Sequence, residues 1–115
     1  MRTSLRRDLK AALKARDRVS ITALRSALAA IENAEALPAD HLRRTTENEH
    51  VAGAAAGVGA TEAERRQLTD TELHAIVEKE AHDRSAAAGE YERLGRHDRA
   101  ESLRSEADVL SRYLG

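Results

Sequence analysis

The residues with the clearest chemical potential are the basic side chains near the start of the chain. Arg6, Lys10 and Lys14 recur every four residues, so a helix carries them as one stripe. Residues 1–25 hold eight basic and two acidic side chains, a net charge of +6, whereas the rest of the chain has a net charge of −7. Phosphate neutralisation needs such a cluster of cations. We predict a surface for RNA or an acidic partner, formed by Arg6, Arg7, Lys10, Lys14, Arg18 and Arg25.

Two alternatives for this basic segment stay open. The cations either form a solvated face, or they pair with the acidic second half of the chain. The segment contains no aromatic residue, so contact with a nucleic-acid backbone is expected rather than base stacking.

A second group of candidate ligands is formed by His74, Glu78 and His82, which lie four residues apart. Three ligands over two helical turns span about 12 Å, too far for one zinc ion to bind all of them. His97, Asp83 and Asp98 would have to help, but no motif spacing supports them. Exposed helix residues are the better interpretation, and we predict no metal site.

Catalytic motifs are also missing from the sequence. Its serines, threonines and histidines lack a nucleophile-elbow context. The glycines between Gly53 and Gly59 are followed by neither Lys-Ser/Thr nor a GxGxxG pattern, so no phosphate loop is present. We predict no catalytic residue and no cofactor.

Composition places the chain among small helical proteins. Alanine is the commonest of its 115 residues, there is no cysteine, and Leu, Ile and Val are scarce. Because Ala, Leu, Glu and Arg favour helices, a helical fold with a thin core is expected. The longest uncharged stretch, 50–61, is too short to span a membrane, and the expected compartment is the cytoplasm.

Apolar periodicity predicts two helices in residues 1–36. The first is expected to begin at a Thr3 or Ser4 cap, and Asp17 is expected to cap the second. Pro38 stops the second helix. The expected inward faces are Leu5, Leu9, Ala12 and Leu13, then Ile21, Leu24, Ala27, Leu28 and Ile31.

Residues 37–68 lose this pattern and contain the Gly/Ala-rich stretch Ala52–Gly59. We expect a long flexible loop, with at most a short helix near Thr46–Ala52.

Order returns at Thr69, where Thr69 and Glu72 form a capping-box pattern. A long helix is expected from there to a Gly95 C-cap, followed by a last helix. The expected inward face of the long helix consists of Leu73, Ile76, Val77, Ala81, Arg84, Ala87, Ala88, Tyr91 and Leu94. The predicted fold is a single all-α domain over 1–115, with a basic hairpin (1–36), a loop (37–68) and a second hairpin (69–115).

Three ordered stretches carry a family resemblance. The first is LRRDLKAALKARD at 5–17, the second is LRSALAAIENAE at 24–35, and the third combines LTDTEL at 68–73, KEAHDR at 79–84, Tyr91, GRHD at 95–98 and YL at 113–114. Together they resemble the GatB/YqeY family of YqeY-like proteins. The family pattern continues beyond this point into a second small helical domain, the part most associated with tRNA contact, which the 115 residues do not include.

The resemblance implies an all-helical domain related to the tail of the B subunit of the tRNA-dependent amidotransferase. That enzyme amidates mischarged glutamyl- or aspartyl-tRNA with glutamine as donor. Its tail engages tRNA, while the chemistry resides elsewhere. Family members carry the label of carbon–nitrogen ligase with glutamine as amido-N-donor.

We therefore expect an accessory domain that binds tRNA or the amidotransferase without chemistry of its own. The alternative is a self-associating helical interaction module with no nucleic-acid role, and an enzyme in its own right is the least favoured. Few large side chains predict a monomer of modest stability or a weak homodimer through the last two helices.

Overall fold

The computed structural model describes residues 1–36 and 67–115. These residues form four α-helices and no strand, which confirms the all-α prediction. The predicted loop and its short helix lie outside the described residues, apart from the non-helical Gln67 and Leu68. The helices are α1 (Arg2–Ala15), α2 (Arg18–Glu35), α3 (Asp70–Arg93) and α4 (His97–Ser111).

The chain divides into two compact units. The first combines Met1–Ala30 with Thr69–Gly115 and receives residues from all four helices. The second is Ile31–Leu68, of which the structure describes the end of α2 and the two residues before Thr69. The single domain predicted over the whole chain remains a prediction.

A two-residue turn connects α1 to α2. Arg16 adopts the left-handed conformation (φ 57°), and the Asp17 amide donates to the Ala12 carbonyl over 3.0 Å. Asp17 then caps α2, because its carboxylate accepts from the Ser20 amide (3.2 Å) and hydroxyl (2.7 Å). The predicted Asp17 cap is confirmed. One groove is lined by residues of α1, by Asp17, Ser20 and Leu24 after it, and by Val109, Arg112 and Tyr113 near residue 115.

The predicted start of α1 is wrong. The helix begins at Arg2, with Met1 as the N-cap residue and no side-chain capping bond. The Leu5 amide donates to the Met1 carbonyl over 2.9 Å, so Thr3 and Ser4 already lie inside the first turn. The Leu5 amide therefore bonds to the Met1 carbonyl, where the sequence predicted a cap from the Thr3 or Ser4 hydroxyl.

Both predicted ends of α3 are confirmed. The Glu72 amide donates to the Thr69 hydroxyl (3.1 Å) and the Glu72 carboxylate accepts from the Thr69 amide (2.9 Å), which completes the capping box. At the other end Gly95 has φ 78°, and the Arg96 amide donates to the Tyr91 carbonyl over 2.8 Å. This pattern is a Schellman motif, which turns the chain into α4.

Helices α3 and α4 pack against each other as an antiparallel hairpin. Ala88 of α3 packs with Ala100 and Leu103 of α4 in one buried cluster. Nearer the other end of the hairpin, His74 Nε2 lies 3.3 Å from the Leu114 carbonyl oxygen. Contacts that start close to the turn and widen symmetrically along the chain are those of two antiparallel helices.

The core of the first unit is thin, as predicted. Half of its buried apolar side chains are alanines, and its largest fully buried ones are Leu5, Leu24, Val77 and Leu110. Alanine lets helices approach closely but removes little apolar surface from water per residue. The packing therefore needs other interactions to select one arrangement of the helices.

Two residues placed on the inward faces by periodicity are exposed instead. Leu13 is 44% exposed, because it lies about 80° around α1 from Leu5 while Ala12 occupies the buried direction. Leu94 is 70% exposed, because it follows the last residue of α3 and projects from the turn.

Arg84, the charged member of the predicted apolar face of α3, is the centre of a largely buried polar network. Its Nε donates to the Glu106 carboxylate of α4 over 2.9 Å, and its Nη1 donates to the Glu80 carboxylate over 3.1 Å. The Ser26 hydroxyl of α2 donates to the same Glu80 carboxylate over 2.6 Å. The side chains of Arg84 and Glu106 are only 14% and 7% exposed. The guanidinium thereby links α3 to α4, and the Glu80 carboxylate links α3 to α2.

Gly89 and Gly95 provide a matched test of the α3 cap. A methyl group at Gly89 meets only the end of the Arg93 side chain at 3.9 Å, so Gly89→Ala should stabilise the helix by about 0.5–1 kcal/mol. The same change at Gly95 forces alanine into the left-handed region and should destabilise the fold by about 1 kcal/mol. Urea unfolding of both variants measures the two signs. Equal effects of the two substitutions would contradict the Schellman assignment.

Arg84→Ala should lower the free energy of unfolding by about 3 kcal/mol. The substitution removes the cation that pairs with Glu80 and Glu106, two carboxylates with little exposure to solvent. The matched control is Arg93→Ala, which breaks an ion pair with Glu90 whose side chains are both 67% exposed. That control should cost less than about 1 kcal/mol. Urea unfolding at neutral pH compares them, and similar losses would show that the buried network does not hold the helices.

Candidate nucleic-acid interface

The first three predicted cations lie together on the outward face of α1. Arg6, Lys10 and Lys14 are all exposed, and each step of four residues advances about 6 Å along the helix. Arg7 is exposed beside them and contacts the Asp8 carboxylate over 3.3 Å. The stripe predicted from the four-residue spacing is therefore present on the folded helix.

The remaining two predicted cations lie on α2. Arg18 and Arg25 are exposed and seven residues apart, two turns along one face of that helix. The predicted residues thus form two outward stripes, one on each of two consecutive helices. We call these six residues the basic surface: Arg6, Arg7, Lys10, Lys14, Arg18 and Arg25.

The two acidic residues of this segment are engaged by other groups. Asp8 accepts a hydrogen bond from the Tyr113 hydroxyl, and Asp17 accepts from Ser20. The Tyr113 hydroxyl, followed by Arg7, holds the pKa of Asp8 below its usual range, and the bonds from Ser20 lower the pKa of Asp17. Burial and the bond to Asp8 raise the pKa of Tyr113. Both aspartates therefore stay ionised while their oxygens serve the fold.

In the described part of the chain, the six residues of the basic surface make no ion pair with the acids of α3 and α4. Among residues 1–36 and 67–115, the basic surface makes a single ion pair, between Arg7 and Asp8. The acids of α3 instead bind nearby cations, as in Lys79–Asp83 (2.7 Å) and Arg104–Glu92 (2.8 Å). These local bonds raise the pKa of Lys79 and lower those of Asp83 and Glu92.

The histidines of α3 do not form a common site. Glu78 and His82 are exposed, while His74 is half-buried with its ring nitrogen near the Leu114 carbonyl. Within the ranges that the structure describes, no group of three His, Asp or Glu side chains is arranged to hold a metal ion.

A further cluster of functional side chains surrounds the α3–α4 turn, and sequence reasoning missed it. Arg96 and Arg99 both lie over the Tyr91 ring, with guanidinium carbons 5.9 and 5.8 Å from its centroid. Tyr91 itself packs on the Ala88–Leu103 cluster. The signal in the sequence was an arginine pair spaced three residues apart, next to a helix-ending glycine.

Comparison with known proteins decides the family. A family model described as Yqey-like protein matches residues 43–115, more than half of the chain. The chain belongs to the YqeY-like protein family. No curated protein and no solved structure matches it significantly.

The matched segment of this YqeY-like protein contains all of α3 and α4, with the capping box, the Arg84 network partners Glu80 and Glu106, and the turn at Gly95. The basic surface lies before residue 43, outside the match. The two resemblances quoted for 5–17 and 24–35 therefore remain predictions. In the described residues of the YqeY-like chain, no helix is long and apolar enough to cross a membrane.

The Tyr113–Asp8 bond gives a pH-dependent contribution to stability. Because the folded-state pKa of Asp8 is lowered, this contribution is present above the usual carboxyl range near pH 4 and is lost as pH falls through the lowered value. Tyr113→Phe should be less stable than the parent at neutral pH, by less than about 1 kcal/mol. The difference should shrink at a pH below the lowered pKa of Asp8, where this carboxyl group is protonated.

Urea unfolding at the two pH values measures this difference. The control is Tyr91→Phe, whose hydroxyl contacts no carboxylate in the part of the chain that the structure describes. An equal difference at both pH values would contradict the role of the ionised Asp8.

Proposed function

We propose that this YqeY-like chain is an accessory domain without chemistry of its own, and that its basic surface binds tRNA through the phosphate backbone. The observation that carries the proposal is a set of exposed cations on α1 and α2 that make no ion pair within 1–36 and 67–115, namely Arg6, Lys10, Lys14, Arg18 and Arg25. Neutralisation of phosphates by such cations releases counterions, which supplies affinity without reading the sequence of the RNA.

The form of the surface supports backbone contact. α1 presents Arg6, Lys10 and Lys14 as a linear stripe about 12 Å long. The two tyrosines of the chain lie in α3 and after α4, so the stripe has no ring on which a base can stack. A surface of this kind recognises the shape and charge of an RNA rather than its bases.

A protein partner, the tRNA-dependent amidotransferase that the family resemblance implies, is the second candidate for this surface. The observation that favours it is Leu13, which is 44% exposed on the same helix as the cations. A phosphate backbone leaves this leucine in water, whereas a protein surface can cover it. Self-association through the same leucine is the remaining alternative. We assign no step of amide transfer to this chain.

Total tRNA in a filter-binding titration across a salt series tests the proposal. The variant Arg6→Ala/Lys10→Ala/Lys14→Ala should weaken binding to every RNA about equally. It should also reduce the slope of log affinity against log salt by roughly two to three, because about three counterions fewer are released.

The matched control removes three exposed cations from α3 and α4, as Lys79→Ala/Arg93→Ala/Arg104→Ala. Each of them already has a carboxylate partner, so this variant should bind nearly like the parent. If the control weakens binding as much as the α1 variant, general charge and not the basic surface is responsible. If Leu13→Ser weakens binding to the purified amidotransferase while tRNA binding is absent, the second candidate is correct.

A further inference from the structure

The α3–α4 turn combines an exposed large apolar side chain with an arginine–tyrosine cluster. Leu94 is 70% exposed, the most exposed large hydrophobic residue among those the structure describes. Arg96 and Arg99 lie over Tyr91, about 6 Å from its ring centre. The term turn surface is used below for Tyr91, Leu94, Arg96 and Arg99.

The fold holds the tyrosine ring and the backbone of the turn surface in place. Tyr91 packs on the buried Ala88, Ala100 and Leu103, which fixes the ring against the hairpin. The Gly95 Schellman motif fixes the backbone between Leu94 and Arg96. A preorganised surface loses little conformational entropy on binding, so most of its contact energy appears as affinity.

Ion pairs neutralise several charges around the turn, and they leave two arginines, Arg96 and Arg99, and two acids, Asp98 and Glu101, without an ion pair among the described residues. Glu90 contacts Arg93, and Glu92 contacts both His97 and Arg104. Arg96 and Arg99 make no ion pair with any residue in 1–36 or 67–115, and the exposed Asp98 is the acid left between them. Each guanidinium group can donate two parallel hydrogen bonds to a carboxylate, the bidentate geometry that arginine favours.

We propose that the turn surface binds an acidic segment of another protein that also presents an apolar side chain. The apolar side chain covers Leu94, and the carboxylates bind Arg96 and Arg99. Tyrosine and arginine are the residues enriched at the energetic centres of protein–protein interfaces. RNA fits less well, because the arginines occupy the tyrosine ring on which a base would stack, and because a phosphate cannot cover Leu94.

The test uses the full chain with isotope-labelled amides and two synthetic probes. The chain carries the substitutions Arg6→Ala/Lys10→Ala/Lys14→Ala, because the basic stripe on α1 would otherwise bind any polyanion. One is poly-L-glutamate, and the other is a random copolymer of glutamate and leucine of similar length. The copolymer should bind about tenfold more tightly, because it buries leucine side chains against Leu94. The amide shifts should change around residues 91–99 and not along α1.

Three variants separate the contributions. Leu94→Ser should remove the preference for the copolymer and keep the weak binding of poly-L-glutamate. Arg96→Gln/Arg99→Gln should weaken both probes several-fold, whereas the control Lys79→Ala, which removes an exposed cation far along α3 from the turn, should change neither. All these positions are exposed, so the variants should unfold in urea like the parent.

Several outcomes would overturn the proposal. One is a copolymer preference that survives Leu94→Ser, and another is a shift pattern centred on α1. A turn surface perturbed by tRNA and not by the copolymer would identify RNA as its ligand. Shifts that depend on protein concentration alone would identify a second copy of the chain. Because Leu94→Ser should leave tRNA binding by α1 unchanged, this proposal and the proposed function fail independently.

Discussion

The arrangement of the helices depends on one guanidinium placed where an apolar side chain was expected. Arg84 lies on the inward side of α3 and donates to Glu80 and Glu106, while Ser26 of α2 donates to the same Glu80. A charge in this position must be paired, since burying it alone is very costly. The observed placement of α2, α3 and α4 satisfies all of these groups, so a shift of one helix along another would leave a largely buried charge unpaired.

The thin core explains why such a device is needed. Its alanines allow close approach but offer few shapes that interlock in a unique way. The described buried side-chain polar atoms all find hydrogen-bond partners, so the network is complete rather than half-satisfied. Close approach and complete pairing support each other here, because a larger core residue beside Arg84 would push the carboxylates away.

Charge segregation along the chain has a local physical cause. The acids of α3 and α4 serve the capping box of Glu72, the network of Glu80 and Glu106, and surface pairs such as Arg104–Glu92. The two aspartates of the first helices serve a tyrosine bond and a helix cap. Because each of these acids binds a neighbour, Arg6, Lys10, Lys14, Arg18 and Arg25 make no ion pair with any residue in 1–36 or 67–115. The same accounting leaves Arg96 and Arg99 available at the other end of the hairpin.

The helices and most of their ends can be predicted from the amino-acid sequence. The Thr69–Glu72 box, the Asp17 cap and Gly95 act through neighbours in the chain, so their chemistry can be read locally. The sequence also predicts the basic stripe on α1, because side chains four residues apart lie on the same face of any helix. Family membership rests on residues 43–115, within the third quoted resemblance and the region before it.

Which side chains are buried and which charges are paired depends on contacts between helices. Periodicity placed Arg84, Leu13 and Leu94 alike on inward faces, yet the first is buried in a network and the other two are exposed. Glu106 looked like any carboxylate of a charged helix, and its burial depends on α3 lying against it. The periodicity of a helix shows which of its own residues share a face. It does not show which residues of another helix pack against that face. That information resides in contacts between residues far apart in the chain, and the fold alone supplies it.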